Sequence, residues 1–311
     1  MKQITYSQAI SEAIMEEMEH DSTVVYMGEC VEGRYGDRTF EMPISESGFT
    51  GIGVGAAIAG IRPIVEIMFV DLVTVAMDPI VNQAAKIRYM FGGMTSVPIV
   101  IRAPFGGYVS MSAHHSQSLE SWFSSIPGLK VVIPSTPYDA KGLMKSAIRD
   151  DNPVIFCDHK RLFGLSGQVP EGDYTVPIGK ASVIRPGKDA TIVAYAFMAH
   201  KSMEAAEQLK QHGIDVEVVD LRTTLPIDEE TILNSIAKTG RLITVSEACA
   251  PCSVASEVSA IVMEKGFEFL KSPLKRIHAK FAPIPFAKDL EDNILPQTAD
   301  IVDAVKACFF C

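Results

Sequence analysis

Short apolar runs bounded by turn residues alternate along this chain with longer segments in which apolar residues recur every three or four positions. The short runs are typical of buried strands, and the longer segments are typical of amphipathic helices. Their alternation indicates parallel sheets with helices on the faces. In the N-terminal half the pattern predicts strands at 24–27, 63–67, 98–103, 129–133 and 154–158, and helices at 7–19, 48–60, 74–88 and 138–149.

Between residues 164 and 188 the alternation lapses into a passage rich in proline and glycine. Such passages are typical of domain boundaries. We therefore predict an α/β protein with two parallel-sheet domains, at residues 1–185 and 186–311. For the second domain the pattern predicts strands at 190–194, 216–220, 242–247 and 275–278, and helices at 199–212, 228–239, 253–265 and 299–308.

Composition narrows the classes of function. The 311 residues are 47% hydrophobic, which is enough for two buried cores. The 38 acids outnumber the 28 bases, so the formal charge of -10 gives no field that would attract nucleic acid or an anionic membrane. The longest apolar stretch, 51–61, is too short and too rich in glycine to cross a bilayer. The N-terminus lacks the features of a secretory signal, so we expect a cytoplasmic protein.

The six cysteines are more typical of buried thiols than of a disulfide framework in a chain of this kind. Two pairs have the Cys-x-x-Cys spacing, Cys249 with Cys252 and Cys308 with Cys311. Together they could form a four-thiolate zinc site, but the pairs lie far apart in the chain. The sequence therefore favours buried thiols over a zinc site.

Glu46 begins a stretch that carries no other charge until Arg62. Apolar surroundings disfavour the charged form of a carboxyl, so such a group can hold a proton near neutrality and share it with a basic ring nitrogen. The alternative is a structural role, in which Ser45 or Glu46 caps the following helix and the acid complements its dipole. Spacing alone favours this alternative.

The helix after Glu46 has small residues at every fourth position, Gly51, Gly55 and Ala59, which leave one face without bulk. Another backbone can approach such a face closely, whether it belongs to a neighbouring helix or to a second subunit.

A second polar cluster contains His114 and His115 and follows a glycine-rich segment at 104–108. Histidines in a loop after a strand can reach a ligand. The alternative is the start of a helix, with Ser116 as its cap and His115 exposed. Two adjacent histidines make a poor metal motif, so zinc chemistry is not expected here.

Nine segments, in order along nearly the whole chain, resemble the β subunits of thiamine-diphosphate-dependent 2-oxo acid dehydrogenases, the E1 components of pyruvate, branched-chain and acetoin dehydrogenases. The segments are PISE at 43–46, GIRPI at 60–64, KIRYMFGG at 86–93, HSQS at 115–118, PGLKVV at 127–132, YDAKGL at 138–143, AIRDDNPV at 147–154, VDLRT at 219–223 and LEDN at 290–293. The resemblance implies a thiamine pyrimidine-binding domain followed by a transketolase C-terminal-like domain.

The resemblance also implies roles for individual residues. Glu46 becomes the carboxyl that bonds the aminopyrimidine of thiamine diphosphate and helps to generate the C2 carbanion that attacks the substrate. His115 becomes the histidine that faces the reacting carbon. Met68 lines the pyrimidine pocket, and Leu72 stands where the family usually has a stacking aromatic ring. The acyl group formed would pass to lipoamide.

The implied metals divide between two chains. A structural potassium ion would lie at Ile99, Ala147, Asp150 and Asn152, bound largely by carbonyl oxygens, as suits a monovalent cation. The chain has no Gly-Asp-Gly segment for the diphosphate and Mg2+. The resemblance therefore implies a separate α subunit that binds them, an α2β2 heterotetramer with β–β contacts, and a lipoyl E2 core as a further partner.

Two departures from the family pattern bear on the acyl acceptor. The segment at 34–42 is shorter than usual near the expected active-site opening, and Lys271 stands where an aspartate is common near the E2 docking site. Both favour an alternative, a split transketolase-like carboligase or decarboxylase that acts without a lipoyl E2. A third hypothesis is a non-catalytic partner that completes an α chain, and Glu46 and His115 argue against it.

Overall fold

The computed structural model describes residues 1–309, which divide into two compact units. The first unit consists of Met1–Phe105 and Trp122–Ile178, and the second of Gly106–Ser121 and the described residues from Gly179 onward. The short segment Gly106–Ser121 thus belongs to the second unit, although the residues before and after it belong to the first. These units are divisions by packing, so the domain limits of 1–185 and 186–311 stay a prediction.

The first unit contains a parallel sheet in which six strands lie in the order β6-β7-β5-β4-β2-β3. Strands β1 and β8 form a separate antiparallel pair. The strands are β1 (Lys2–Thr5), β2 (Val24–Gly28), β3 (Thr39–Glu41), β4 (Arg62–Glu66), β5 (Val100–Arg102), β6 (Lys130–Val132), β7 (Val154–Phe156) and β8 (Ser166–Val169). The helices are α1 (Tyr6–His20), α2 (Glu46–Ile58), α3 (Ala85–Met90) and α5 (Pro137–Arg149), and α4 (Glu120–Ser124) lies at the junction of the two units in the chain.

Four of the central strands are buried on both faces, which explains why their sequences read as continuous apolar runs. The predicted helix 74–88 differs in the structure. It consists of a 3-10 helix at Val70–Ala76, a π-helix at Asp78–Ala84 and then α3. Pro79 lies at the start of the π segment, and a proline has no N–H to continue the α-helical hydrogen bonds of the preceding turn.

The second unit contains a sheet with the order β14-β13-β10-β11-β9, parallel except for the edge strand β9, which is antiparallel to β11. The strands of this sheet are β9 (Ser182–Arg185), β10 (Ala190–Ala194), β11 (Val216–Asp220), β13 (Leu242–Cys249) and β14 (Lys275–Ala279), and the second unit also contains the short strand β12 (Thr223–Leu225). Its helices are α6 (Phe197–Gln211), α7 (Glu229–Thr239), α8 (Val254–Lys265), α9 (Lys288–Ile294) and α10 (Thr298–Ala307). The predicted α/β class with two largely parallel sheets is confirmed.

Local sequence signals explain where several helices begin. Thr136 caps α5 and Pro137 follows it, a pair typical of a helix start. Asp228 and Ser253 cap α7 and α8, each accepting a hydrogen bond from a backbone amide three residues later. The passage 164–188, predicted to be turns, also contains β8 and β9. These strands are short edge strands with exposed positions, so they lack the apolar runs that mark the central strands.

Within residues 1–309, no helix has both the length and the apolar character needed to cross a membrane. Cys30, Cys157, Cys249, Cys252 and Cys308 all carry thiols rather than disulfides. Across the same residues, histidine, cysteine, aspartate and glutamate side chains form no group of three suited to a metal ion. Cys311, the fourth ligand of the zinc site considered above, lies outside the described residues.

Candidate functional site

Glu46 is the first residue of α2, and its side chain lies on the buried face of that helix. Only 7% of the residue is exposed. Ser45 occupies the N-cap position but makes no side-chain capping hydrogen bond. Glu46 is therefore a buried carboxyl at the N-terminus of a helix.

A second carboxyl, Glu29, lies near Glu46 and was missed in the sequence. Glu29 directly follows β2 and is 8% exposed. Burial raises the pKa of the Glu29 carboxyl, and the nearby carboxyls of Glu46 and Glu41 raise it further. An acid directly after a buried parallel strand is a usable sequence signal, since ligands of open α/β sheets bind at the carboxyl ends of strands.

Met68 and Leu72 provide apolar surface in the same unit as Glu46. Met68 follows β4 by two residues and is 37% exposed. Leu72 is half-buried in the 3-10 helix Val70–Ala76, which packs against α2. Strands β2 and β4 are parallel neighbours, so Glu29 and Met68 lie at the same edge of the sheet. The first unit therefore combines buried carboxyls with accessible apolar side chains, a pattern that suits a flat heteroaromatic ring with a polar edge.

The short segment at 34–42 is held by two charged residues. The Glu41 carboxylate accepts hydrogen bonds from the backbone amides of Cys30, Val31 and Glu32 at 2.7, 2.7 and 2.9 Å, and these bonds lower its pKa. Arg34 donates to the Glu66 carboxylate at 2.9 Å and to the Cys30 carbonyl at 3.1 Å. The segment is thus tied to the ends of β2 and β4.

Beneath this edge lies a buried network around Arg102. Its guanidinium donates to the carboxylates of Glu66 and Asp158, the latter at 2.6 Å, and Tyr26 donates to Glu66. Burial opposes ionisation of Glu66, but Arg102, Tyr26 and Arg34 outweigh it and lower the pKa of that carboxyl. Each buried charge therefore has a partner, as a low-dielectric interior requires.

His115 belongs to the second unit, in the segment Gly106–Ser121. It is half-buried, His114 is exposed, and their ring centroids lie 4.5 Å apart. Helix α4 begins at Glu120, so Ser116 is not its cap, and the alternative of a helix start at Ser116 is wrong. Glu46, Met68 and Leu72 all belong to the first unit, whereas His115 is part of the second.

The residues predicted to bind potassium gather where α5 ends. The amide of Val154 donates to the carbonyl of Ile99 at 2.9 Å, which brings Ile99 beside the segment 147–152. The Asp150 carboxylate accepts hydrogen bonds from Lys130 and from the Asn152 side chain, the latter at 2.9 Å. Burial opposes ionisation of Asp150, but these bonds prevail and lower its pKa.

Main-chain oxygens at the end of α5 also attract positive charge. Arg62 donates to the carbonyls of Ile148 and Asp150 at 3.0 and 3.1 Å. Neutral carbonyl oxygens suit a monovalent cation. A bound ion would have to share this cluster with Lys130 and Arg62.

Comparisons with known proteins define the class. Residues 2–165 match the family model for the transketolase pyrimidine binding domain, and residues 179–301 match that for the transketolase C-terminal domain. A solved split-gene transketolase, described as an inactive beta4 tetramer, shares the fold with a TM-score of 0.82 over 99% of this chain and 98% of its own, at 23% identity. Fold and site together define a transketolase-like protein with a thiamine pyrimidine-binding domain.

Individual relatives of known function narrow the transketolase-like class to a smaller group of enzymes. The chain is 45% identical to the acetoin:2,6-dichlorophenolindophenol oxidoreductase subunit beta of Cupriavidus necator, over 98% of this chain and 97% of the relative. It is 45% identical to the pyruvate dehydrogenase E1 component subunit beta of Rhizobium meliloti, over 99% of this chain and 70% of the relative. It is 44% identical to the 2-oxoisovalerate dehydrogenase subunit beta of Bacillus subtilis, over 98% of each chain.

The chain therefore belongs to the E1 β subunits of thiamine-diphosphate-dependent 2-oxo acid and acetoin dehydrogenases. The resemblance stated from the sequence and the predicted class of thiamine-dependent oxidoreductase are both confirmed.

Proposed function

We propose that this chain supplies the pyrimidine-binding half of a thiamine diphosphate site and acts with an α subunit in an α2β2 E1 enzyme. The observation that carries this proposal is the buried carboxyl of Glu46 at the first position of α2, in the same unit as the accessible side chain of Met68 and the half-buried side chain of Leu72. Such a carboxyl can bond a ring nitrogen, while the two apolar side chains contact the faces of the ring. The residues of this chain thus fit the aminopyrimidine.

Glu46 is proposed to hold a proton at the pyrimidine nitrogen, in a position where water is largely excluded. Thiamine diphosphate, when bound, supplies the nucleophilic carbon and the electron sink for cleavage of the substrate. His115 is proposed to donate a hydrogen bond from its imidazole to a substrate oxygen on which negative charge develops. Glu46 and His115 are the catalytic residues proposed for this chain.

The proposal assigns the diphosphate and Mg2+ to the α subunit, because this chain has no Gly-Asp-Gly segment. Exposed apolar surface supports contacts with other subunits. On α2, a Cβ added at Gly51 or Gly55 would meet no atom within 4 Å, and Ile52 is 57% exposed. A second cluster includes Tyr89 at 88% and Met94 at 85% exposure. Apolar patches of this kind are typical of protein interfaces.

The test of the proposed function is turnover by the chain purified with its α subunit. Pyruvate, 2-oxoisovalerate and acetoin serve as substrates, with 2,6-dichlorophenolindophenol as electron acceptor. Glu46→Gln keeps the shape of the side chain but removes the acid, so we expect kcat to fall by about 10²-fold or more. Glu32→Gln, which changes an exposed acid of the same unit, should retain activity. Wild-type turnover by Glu46→Gln would refute the catalytic role.

The acyl acceptor separates the proposal from its alternative. With lipoamide or a lipoyl E2 domain as acceptor, the dehydrogenase predicts formation of acyl-lipoamide. A split carboligase predicts carbon–carbon bond formation with an aldehyde and no acyl-lipoamide. Lys271 bears on this choice, since it is exposed and its alkyl stem lies over Gly240. Its positive charge would weaken docking of a basic partner in a salt-dependent way.

We also propose a structural potassium ion at the carbonyl cluster of Ile99, Ala147, Asp150 and Asn152, and a cytoplasmic location, which the thiols present among residues 1–309 favour. The ion is tested by melting the protein in potassium chloride and in choline chloride at equal ionic strength. Binding predicts a higher melting temperature in potassium. Equal melting temperatures would count against the ion.

A further inference from the structure

The segment Gly106–Ser121, called the histidine loop below, has an unusual backbone before His115. Gly106, Tyr108, Ser110 and Ser112 all have positive φ angles, of 90°, 65°, 56° and 68°. Glycine adopts such angles freely, but for tyrosine and serine they are strained. Strained backbone persists only where surrounding groups hold it. The loop therefore needs partners that fix its conformation.

Glu291 of α9 is the first such partner. Glu291 is fully buried. The Ser110 amide donates to its two carboxylate oxygens at 3.2 and 3.1 Å, and the Ser110 hydroxyl donates to one of them at 3.3 Å. Hydrogen bonds to a charged acceptor are stronger than those between neutral groups. Glu291 thus holds the strained Ser110 on the N-terminal side of His115.

Glu247 of β13 is the second partner and holds both arms of the loop. The same oxygen, Oε1, accepts a hydrogen bond from the Gly107 amide at 3.1 Å and from the Ser118 hydroxyl at 2.8 Å. Gly107 precedes His115 and Ser118 follows it. The Gly106 amide also donates to the Gln117 carbonyl at 3.1 Å, which closes the loop on itself.

Packing against the rest of the second unit also supports the histidine loop. The Tyr108 hydroxyl donates to the Pro296 carbonyl at 2.7 Å, and its ring joins the buried core of that unit. A Cβ added at Gly107 would lie 2.6 Å from Leu295 Cδ1 and 3.4 Å from Glu291 Oε1, so the loop backbone rests directly on the end of α9. Side chains of α9 and β13, more than a hundred residues away in sequence, therefore determine where the loop lies.

We propose that Glu291 and Glu247 are positioning residues that place His115 for the reaction. This inference rests on the proposed role of His115. It gives the second unit a specific role, namely to fix the conformation of the histidine loop.

The experiment compares Glu291→Gln with wild type, each purified with its α subunit. Glutamine retains one acceptor oxygen but replaces the other with an amide donor that faces the Ser110 amide, so bonds to the loop are lost. We expect at least tenfold faster hydrogen exchange in peptides covering 106–118. We also expect kcat to fall about tenfold, measured with whichever of pyruvate, 2-oxoisovalerate or acetoin the wild-type enzyme turns over. KM should change little, since a positioning residue acts mainly on the transition state.

The matched control is Glu217→Gln, which changes a buried acid of the same unit that bonds Lys238 rather than the loop. It should leave exchange in 106–118 and kcat close to wild type. Should Glu291→Gln fail to fold, Ser118→Ala removes only the hydroxyl bond to Glu247, and a smaller change in the same direction is expected. The inference would be overturned if the variant that folds, Glu291→Gln or Ser118→Ala, showed the same hydrogen exchange in 106–118 and the same kcat as the wild type.

A double variant separates this inference from the proposed function. If Glu291 acts through His115, Glu291→Gln should cost little further turnover in a His115→Gln background. A full additional loss there would overturn the inference and leave the role of His115 intact. If His115→Gln alone retains wild-type turnover, the proposed role of His115 fails, whatever the exchange data show for Glu291.

Discussion

Glu120 provides the most direct test of the electrostatics at the end of the histidine loop. This carboxyl is fully buried and accepts a hydrogen bond from the Tyr195 hydroxyl at 2.6 Å. Burial raises the pKa of Glu120 from 4.5 to about 7; the Tyr195 bond opposes this change and repulsion from Glu247 adds to it. The perturbation is Glu120→Gln, which still offers Tyr195 an acceptor oxygen but no longer titrates.

The sign and size of the effect follow from linkage. Because the folded-state pKa lies above the unfolded value, the native state binds the proton more tightly. The resulting stabilisation is fully present below pH 4.5 and is lost as the pH rises through about 7. The folded-state and unfolded-state pKa values of Glu120 differ by about 2.5. A pKa difference of one corresponds to about 1.4 kcal/mol, so the full contribution to the free energy of unfolding is about 3 kcal/mol. About 2 kcal/mol of this falls between about pH 5.5 and 8.5.

Urea unfolding, followed by circular dichroism at the two pH values, measures the prediction. The stability of the wild type relative to Glu120→Gln should decrease by about 2 kcal/mol from about pH 5.5 to 8.5. Glu264→Gln, which alters an exposed acid of the same unit, is the control and should show no such change. An equal difference between wild type and Glu120→Gln at both pH values would refute the reasoning.

Three further predictions concern stability. Gly128→Ala should cost at least about 3 kcal/mol, because Gly128 has a φ of 101° and an added Cβ would lie 2.0 Å from the Ala85 carbonyl oxygen; thermal melting measures the loss. Glu66→Gln should cost about 3 kcal/mol by urea unfolding, since it leaves Arg102 with an incomplete set of partners in the interior. The lowered pKa of Glu66 means that its contribution is present above its unfolded pKa and disappears as the pH falls through the folded value. Asp228→Ala should cost about 1 kcal/mol in the same assay, because it removes the cap of α7.

Each of these variants has a control within the chain. Gly164→Ala adds a methyl group where nothing lies within 4 Å and where no positive φ is required, so near-native stability is expected. Glu32→Gln changes an exposed acid of the same unit as Glu66, and Glu230→Gln changes an exposed acid two residues from Asp228. If a control loses as much stability as its partner variant, the structural reason offered for that variant is wrong.

The sequence by itself determined the fold class and much of the element pattern. Strands predicted at 190–194 and 216–220 coincide with Ala190–Ala194 and Val216–Asp220, because a strand buried on both faces must be apolar throughout. Caps and turn residues likewise act over three or four positions, so a pair such as Thr136 and Pro137 at the start of α5 is a local signal that the sequence carries. The resemblance of ordered segments indicated Glu46 as a site residue before any geometry was known.

Tertiary structure decided what depends on contacts between distant segments. Glu46 was weighed as a helix cap, and only packing showed that its carboxyl is buried near Glu29. Local sequence does not show that the histidine loop belongs with the second unit, because its partners Glu247 and Glu291 lie 129 to 181 positions away. Periodicity and capping report local backbone preference, whereas burial and the pairing of charges arise only when remote elements pack together.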